Sequence, residues 1–335
     1  MSEAAVFRAE ASRAAEAARM AEAKVLAATL TLMGRELAGQ APPLSLWTGL
    51  PNAADVRETA LAVAAGRAEV LWAEDSHPAQ GLMLSRPQDL EAALLGRCSR
   101  RLSGPWMVEP DAALRYKKTR TLAKKAADSV RGRGGGFLSV KTWHDPAVLR
   151  GFADEGFQLA EILACLEGAP EPGPEDGGRS RAAQGTSMRR PHPWELDEWL
   201  LSLGDLFYDG HLLHGPYFGP EIQRRLWQEL AALDLKKNQP VLFLFQDRPE
   251  KLLGLAWGRA AGGAGSLMAV HVVEERRGLG LGSHMLDYLW RRMGVLGART
   301  LAVETASWNT PAQALYRSFG LRHKAPLAAL HLLSE

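Results

Sequence analysis

Arg277-Gly278-Leu279-Gly280-Leu281-Gly282 is the stretch of this chain best suited to holding an anion. It lies where the apolar run from Leu267 to Val273 gives way to a helix-forming segment, so backbone N–H groups and a helix N-terminus converge there. Glycine at 278, 280 and 282 lets the main chain approach phosphate oxygens and adopt positive φ. Further on, Asn309 opens a second helix, and Tyr316 follows seven residues later on the same face. A phenol of ordinary pKa, about 10, is protonated at neutral pH and can donate to a departing anion. Glu304 and His271 stand on the strands that precede these helices, where either can take a proton directly or through water.

Two familiar glycine motifs do not fit. A P-loop needs Lys and Ser/Thr after its last glycine, and Ser283-His284 follows here. A dinucleotide fingerprint needs its third glycine at 283 and a tight turn, yet Glu274-Glu275-Arg276-Arg277 intervenes. The run resembles instead the GCN5-related N-acetyltransferase (GNAT) superfamily. Its Gln/Arg-x-x-Gly-x-Gly/Ala loop falls on Arg277, Gly280 and Gly282, and its later segment on Asn309, Ala312, Leu315-Tyr316 and Phe319-Gly320. The resemblance covers residues 184–335 and implies that acetyl-CoA is the anion and acetyl transfer to an amine the reaction. It implies cofactor contacts from Val272, Val273, Arg277, Gly278, Leu279, Gly280, Leu281, Gly282, Ser283, Asn309 and Tyr316. It also implies Tyr316 as the acid; the base varies among members of the superfamily and is not located by the motif, so Glu304 and His271 are base candidates by position and read also as ordinary strand residues. Asn309, before Thr310-Pro311, reads equally well as a helix N-cap, and Tyr316 as a core aromatic.

Composition agrees with a cytoplasmic enzyme of two domains: 335 residues, a net charge of +2, and no apolar stretch near the length of a membrane span. The N-terminus mixes Glu with Arg and has no uninterrupted apolar segment, so no secretory signal or transit peptide is expected. Cys98 and Cys165 are too few for a zinc site or a disulfide framework, and near-neutrality argues against a nucleic-acid partner or a membrane.

Residues 1–43 read as an Ala-rich helix, which leaves a homodimer arm open as a role. Residues 168–183, GAPEPGPEDGGRSRAA, read as a linker. It separates a first domain at 44–167 from a catalytic domain at 184–335 with strands near 184–190, 241–247, 252–259, 266–273, 299–305, 321–324 and 327–334. The first domain looks like a worn copy of the second. Matching Gly156 to Gly320, an offset of 164, sets Asp145 against Asn309, Phe152 against Tyr316, and Tyr116 and Lys118 against Gly280 and Gly282, so the chemistry is missing. Its basic cluster at Arg115, Lys117, Lys118, Arg120, Lys124, Lys125, Arg131 and Arg133 reads as a solvated helix face or as an anion site.

For the acceptor, a small-molecule amine, the expected contacts are Asp209, His211, His214 and Tyr217 in an irregular Gly/Pro-rich segment. The two histidines lack a third ligand, so no metal is expected. A looser similarity links this segment to amino-sugar acetyltransferases of the dTDP-fucosamine type, although the Arg which that family places near His211 is absent. The expected fold is α+β: two tandem GNAT-like acyl-CoA N-acyltransferase domains after an Ala-rich helix, each a mixed, mostly antiparallel sheet flanked by helices, the N-terminal one degenerate. The alternatives are a non-catalytic CoA-binding regulatory or scaffold protein, and a protein or peptide N-acetyltransferase.

Overall fold

A computed structural model describes residues 15–17, 19–24, 26, 27, 60–73, 82–107, 109, 111–170, 185–192, 195, 220–247 and 250–334. Its elements begin with β1 (Glu69–Trp72), β2 (Leu82–Pro87), α1 (Asp89–Leu95), β3 (Cys98–Trp106), α2 (Ala112–Arg131), β4 (Gly136–Trp143), α3 (Pro146–Ala153) and β5 (Gln158–Gly168). There follow β6 (Thr186–Arg189), α4 (Pro220–Lys236), β7 (Val241–Asp247), β8 (Glu250–Ala261), β9 (Ala264–Val272), α5 (Leu281–Val295), β10 (Thr300–Ala306), α6 (Thr310–Ser318), β11 (Arg322–His323) and β12 (Leu327–Ser334).

The chain divides into two compact units, and the division is not sequential. Unit 1 comprises Met1–Ala160 together with Leu327–Glu335, and unit 2 comprises Glu161–Pro326. This differs from boundaries placed at a linker: most of β5 lies before that linker yet belongs to unit 2, and β12 lies within the expected catalytic domain of 184–335 yet belongs to unit 1. β12 pairs antiparallel with β4 over eight residues, from Leu327↔Trp143 to Ser334↔Gly136. β5 pairs antiparallel with β10 from Leu301↔Gly168 to Ala306↔Leu163.

In unit 1 the sheet runs β1-β2-β3-β4-β12, with β3 and β4 parallel. Helix α2 crosses between them, burying Leu122, Ala123, Ala126, Ala127 and Val130 at helical spacing. Within the Ala-rich segment, residues 15–17, 19–24, 26 and 27 are helical, and Ala23 and Leu26 pack with Val63, Val70 and Leu82 of the same unit. In unit 2 the sheet runs β6-β7-β8-β9-β10-β5, with β11 beside β5 and, among the described residues, only β9 and β10 parallel. Helix α5 covers one face through Leu281, Met285, Leu286, Leu289, Trp290 and Met293. On the other face Trp227 and Leu230 of α4 pack against Phe243, Phe245 and Trp257. The strand end reaching into the expected linker is anchored, since Trp290 Nε1 donates to the Pro170 carbonyl at 2.8 Å. Among the described residues no helix is long and apolar enough to cross a membrane.

Candidate active site

The parallel pair β9–β10 holds together only at its start. Register runs from Thr300↔Ala264 to Val303↔Leu267 and then stops. Beyond it β9 continues on β8 as far as Val272↔Gly254, while β10 continues on β5 as far as Ala306↔Leu163. A bulge accounts for the parting: Trp257 faces Ala269 and Gly258 faces Leu267, so Met268 is an extra residue that bends β9 away from β10. Residues 268–272 are half-buried, and across the gap their main chain has no strand partner from β10. Such a slot suits a ligand that carries amides of its own.

At the end of β9, Val273 N–H donates to Leu253 O at 2.9 Å, and a single 3₁₀ turn, Glu274–Arg276, swings the chain round. Arg276 Nη2 ties the turn to Gln246 Oε1 at 2.9 Å, and Arg277 Nε returns to Val272 O at 3.1 Å. Gly278 and Gly280 then sit at φ of 76° and 82°, the left-handed region where only glycine is unstrained. The first bond of α5 runs from His284 N–H to Gly280 O, so the N–H groups of Leu281, Gly282 and Ser283 point off the helix end. No side chain caps them. Helices α2, α3 and α6, by contrast, are each capped by their own Asp111, Asp145 or Asn309. A Cβ on Gly282 would stand 3.4 Å from Leu315 Cδ2, so that glycine also allows α5 and α6 their close approach. Beside the loop, Thr186, Gln246, Leu253, Arg276, Leu279 and Leu281 line a cavity of about 280 Å³.

The residues expected to handle protons flank the gap. His271 lies between Ala269 and Val273, which pack in the α4-side core, so strand alternation places it on that face. Glu304, next to the α5-side Val303, falls on the same α4-facing side of the sheet. Burial, with help from the Arg277 charge, pushes the His271 imidazole down to about 4. Tyr316 is on the other face, packed with Leu281 and Val303, and burial pushes its phenol up to about 12. Asn309 Oδ1 accepts from Ala312 N–H at 3.2 Å, so its oxygen serves the cap and its amide donors are not needed for it. Asp209, His211, His214 and Tyr217 lie outside the described residues.

Residues missed from the sequence include Leu163 and Cys165 of β5, which stand in register with Ala306 and Glu304. Also missed was Trp308, on the turn after β10 and 54% exposed. No local signal could have found the first two, because their strand was assigned to the other domain.

Unit 1 repeats this arrangement with its opening closed. The 164 offset holds for α3, where Asp145 caps as Asn309 does and Phe152 is buried as Tyr316 is. It fails at the loop: Tyr116 and Lys118 lie inside α2, and the counterpart of Gly280 as N-cap is Asp111. Asp111 Oδ1 accepts from Leu114 N–H at 2.8 Å, and Glu109 Oε1 accepts from Asp111 N–H at 3.1 Å. Carboxylates therefore occupy the end where a phosphate would bind. Arg115 spans from Glu109 O to the α3 cap Asp145, at 3.1 and 3.2 Å. The basic cluster is largely neutralised within the unit, with Lys118 on Glu109, Arg120 on Glu155, Arg131 on Asp128 and Arg133 on Glu69.

Residues 207–321 match the model of the acetyltransferase (GNAT) family. No curated protein matches the chain. Among solved structures, a tandem GNAT protein from the clavulanic acid biosynthesis pathway is similar at 15% identity and a TM-score of 0.51, over 92% of this chain and 95% of that one. A Drosophila protein is similar at 11% identity and a TM-score of 0.50, over 91% and 87% of the two chains. A GCN5-related N-acetyltransferase from Sphaerobacter thermophilus gives 16% identity and a TM-score of 0.48, over 76% and 81%. At these identities the first two likenesses are of fold, and they extend over both units.

Proposed function

We propose, from the match of residues 207–321 to the acetyltransferase (GNAT) family model and the likeness in fold to a tandem GNAT protein, that the chain is an N-acetyltransferase moving the acetyl group of acetyl-CoA to a primary amine of a small metabolite, amino sugars included. One observation carries the reading. The N-terminus of α5 is uncapped, approached through left-handed glycines, and set at the end of a strand that parts from its parallel neighbour. A helix end with free N–H groups and no competing side chain fits a pyrophosphate, and the unpaired main chain of 268–272 fits a pantetheine arm.

Acetyl-CoA, when bound, supplies the thioester whose carbonyl carbon the amine attacks. The chain's own residues handle charge and protons around that event. Leu281, Gly282 and Ser283 N–H groups hold the pyrophosphate, with Arg277 adding positive charge nearby. The acceptor arrives as an ammonium and must lose a proton. His271, held down to about 4, is neutral at pH 7 and a weak base, and Glu304 lies on the same face, so either can take the proton, directly or through water. Tyr316 keeps its proton throughout the working range and is the donor available to the departing sulfur.

The test is isothermal titration with acetyl-CoA, then a mass-spectrometric screen of amine metabolites for a gain of about 42 Da, one acetyl group. Binding followed by an acetylated product is the expected result. Tight binding with no product across broad acceptor sets would turn the reading to a CoA-binding scaffold.

A further inference from the structure

We propose that Arg276 binds the 3′-phosphate of CoA, with the adenosine in the cavity beside the glycine loop, a role that rests on the acetyl-CoA reading above. Arg276 closes the 3₁₀ turn just before that loop, and its side chain lines the cavity of about 280 Å³ together with Thr186, Gln246, Leu253, Leu279 and Leu281. The cavity lies on the α5 face of the sheet. Leu244 and Leu253 pack in the core on that side, Gln246 follows Leu244 by two along β7, and Thr186 is in register with Gln246. Leu281, the first residue of α5, carries one of the N–H groups assigned to the pyrophosphate, so the cavity adjoins the phosphate site.

From that helix end, the gap between β9 and β10 takes the pantetheine arm in the reading above. Another flank is taken by α6, since a Cβ on Gly282 would stand 3.4 Å from Leu315 Cδ2. The cavity offers a different way out for the nucleotide. At about 280 Å³ it is near the lower limit of ligand pockets, roughly 300 Å³, which is room for one end of the cofactor and not for the whole. Its leucines give a base an apolar wall, and Leu279, 47% exposed, is there to be covered by one. Arg276 brings the charge. Its Nη2 donates to a neutral partner, Gln246 Oε1, at 2.9 Å, and among the described residues it pairs with no carboxylate. Arg189, Arg224, Arg259 and Arg291 of the same unit each pair with one. A guanidinium held in place by a neutral amide, with further donors and an uncompensated charge, is suited to a phosphate monoester.

Calorimetry compares CoA with dephospho-CoA, which lacks only the 3′-phosphate, in the unaltered full chain, in Arg276→Gln and in Gln246→Glu. The unaltered chain should bind CoA about tenfold or more tightly than dephospho-CoA, the low end of what a charge-assisted hydrogen bond contributes. Arg276→Gln should bring CoA down to the affinity of dephospho-CoA and leave dephospho-CoA within about twofold of its unaltered value, because the two ligands differ only at the group the arginine holds. Gln246→Glu keeps the arginine but sets a carboxylate against it, so it should narrow the same ratio, and it gives the answer if Arg276→Gln does not fold. Equal affinity for the two ligands in the unaltered chain overturns the proposal, as does a ratio that survives both substitutions. A matching loss for both ligands in Arg276→Gln also overturns it, because the arginine would then be supporting the turn or the pyrophosphate. Failure of both ligands to bind the unaltered chain would overturn the acetyl-CoA reading and this proposal with it, whereas equal binding overturns the proposal alone, so the two failures are separable.

Discussion

Tyr316→Phe removes one hydroxyl from a ring that is 6% exposed and packed among Leu281, Leu315 and Phe319, leaving the ring volume in place. Burial raises the phenol from 10 to about 12. It therefore stays protonated well beyond pH 9, but it is a weaker acid than free tyrosine. Full transfer to a thiolate whose conjugate acid has a pKa of about 8.5 is uphill by roughly 5 kcal/mol. What the hydroxyl offers is closer to a hydrogen bond to a charged acceptor, about 1.5–3 kcal/mol. That corresponds to roughly 10- to 150-fold in rate, overlapping the low end of general-acid catalysis at about 10². The variant should lose about 10²-fold in kcat, keep its acetyl-CoA affinity by calorimetry, and melt close to the unaltered protein. A kcat within about threefold of the unaltered enzyme would remove Tyr316 from the acid role. An equal fall in acetyl-CoA affinity would assign the hydroxyl to binding instead.

Gly280→Glu and Gly282→Glu should each abolish acetyl-CoA binding, by placing a carboxylate at the α5 N-terminus and, at 280, a side chain at φ 82°. Titration of the unaltered chain should give one site, because Asp111 caps the corresponding helix of unit 1. His331 is buried beside Phe137, and burial, then the Lys141 charge, holds it down to about 4 from 6.5. A histidine kept neutral in the fold takes up protons when unfolded, so its stabilisation is complete above pH 6.5 and is lost as pH falls toward 4, by up to about 3 kcal/mol. Urea midpoints should drop between pH 7 and pH 5, and His331→Leu should flatten part of that slope; an unchanged slope would refute it. Asp209→Asn and His211→Ala should raise the acceptor KM or lower kcat without altering the acetyl-CoA Kd, and a shift in that Kd would take those residues out of an acceptor-only role.

Much of unit 2 was legible because its signals are local. Strand β7 falls on 241–247 as read, and the order from β9 through α6 follows from glycines, an N-cap and apolar spacing in one run. The partner of each strand was not legible. LAALHLLS reads as a buried strand whichever sheet it joins, and its burial pattern is the same evidence in either case. The same holds for QLAEILACLEG, which hid the register of Leu163 and Cys165 with Ala306 and Glu304. The misaligned loop of unit 1 has a simpler cause. Ala112 and Leu281 start their helices 169 positions apart, whereas Gly136 and Thr300 start their strands 164 apart, because α2 has 20 residues and α5 has 15. An offset taken from the strands therefore falls five residues inside the longer helix.

The exchange of β5 and β12 sets an order on biogenesis. When unit 2 emerges from the ribosome, β5 has already been made and β10 can dock on it at once. Unit 1 has the opposite fate. Its β4 waits for a neighbour that begins at Leu327, after all of unit 2 has been translated, and meanwhile it presents an open apolar edge of the kind that invites mispairing. The β5–β10 pairing of unit 2 can thus form before the β4–β12 pairing that completes unit 1. A cut at the 168–183 segment would not release two self-contained units; it would strip each product of a strand.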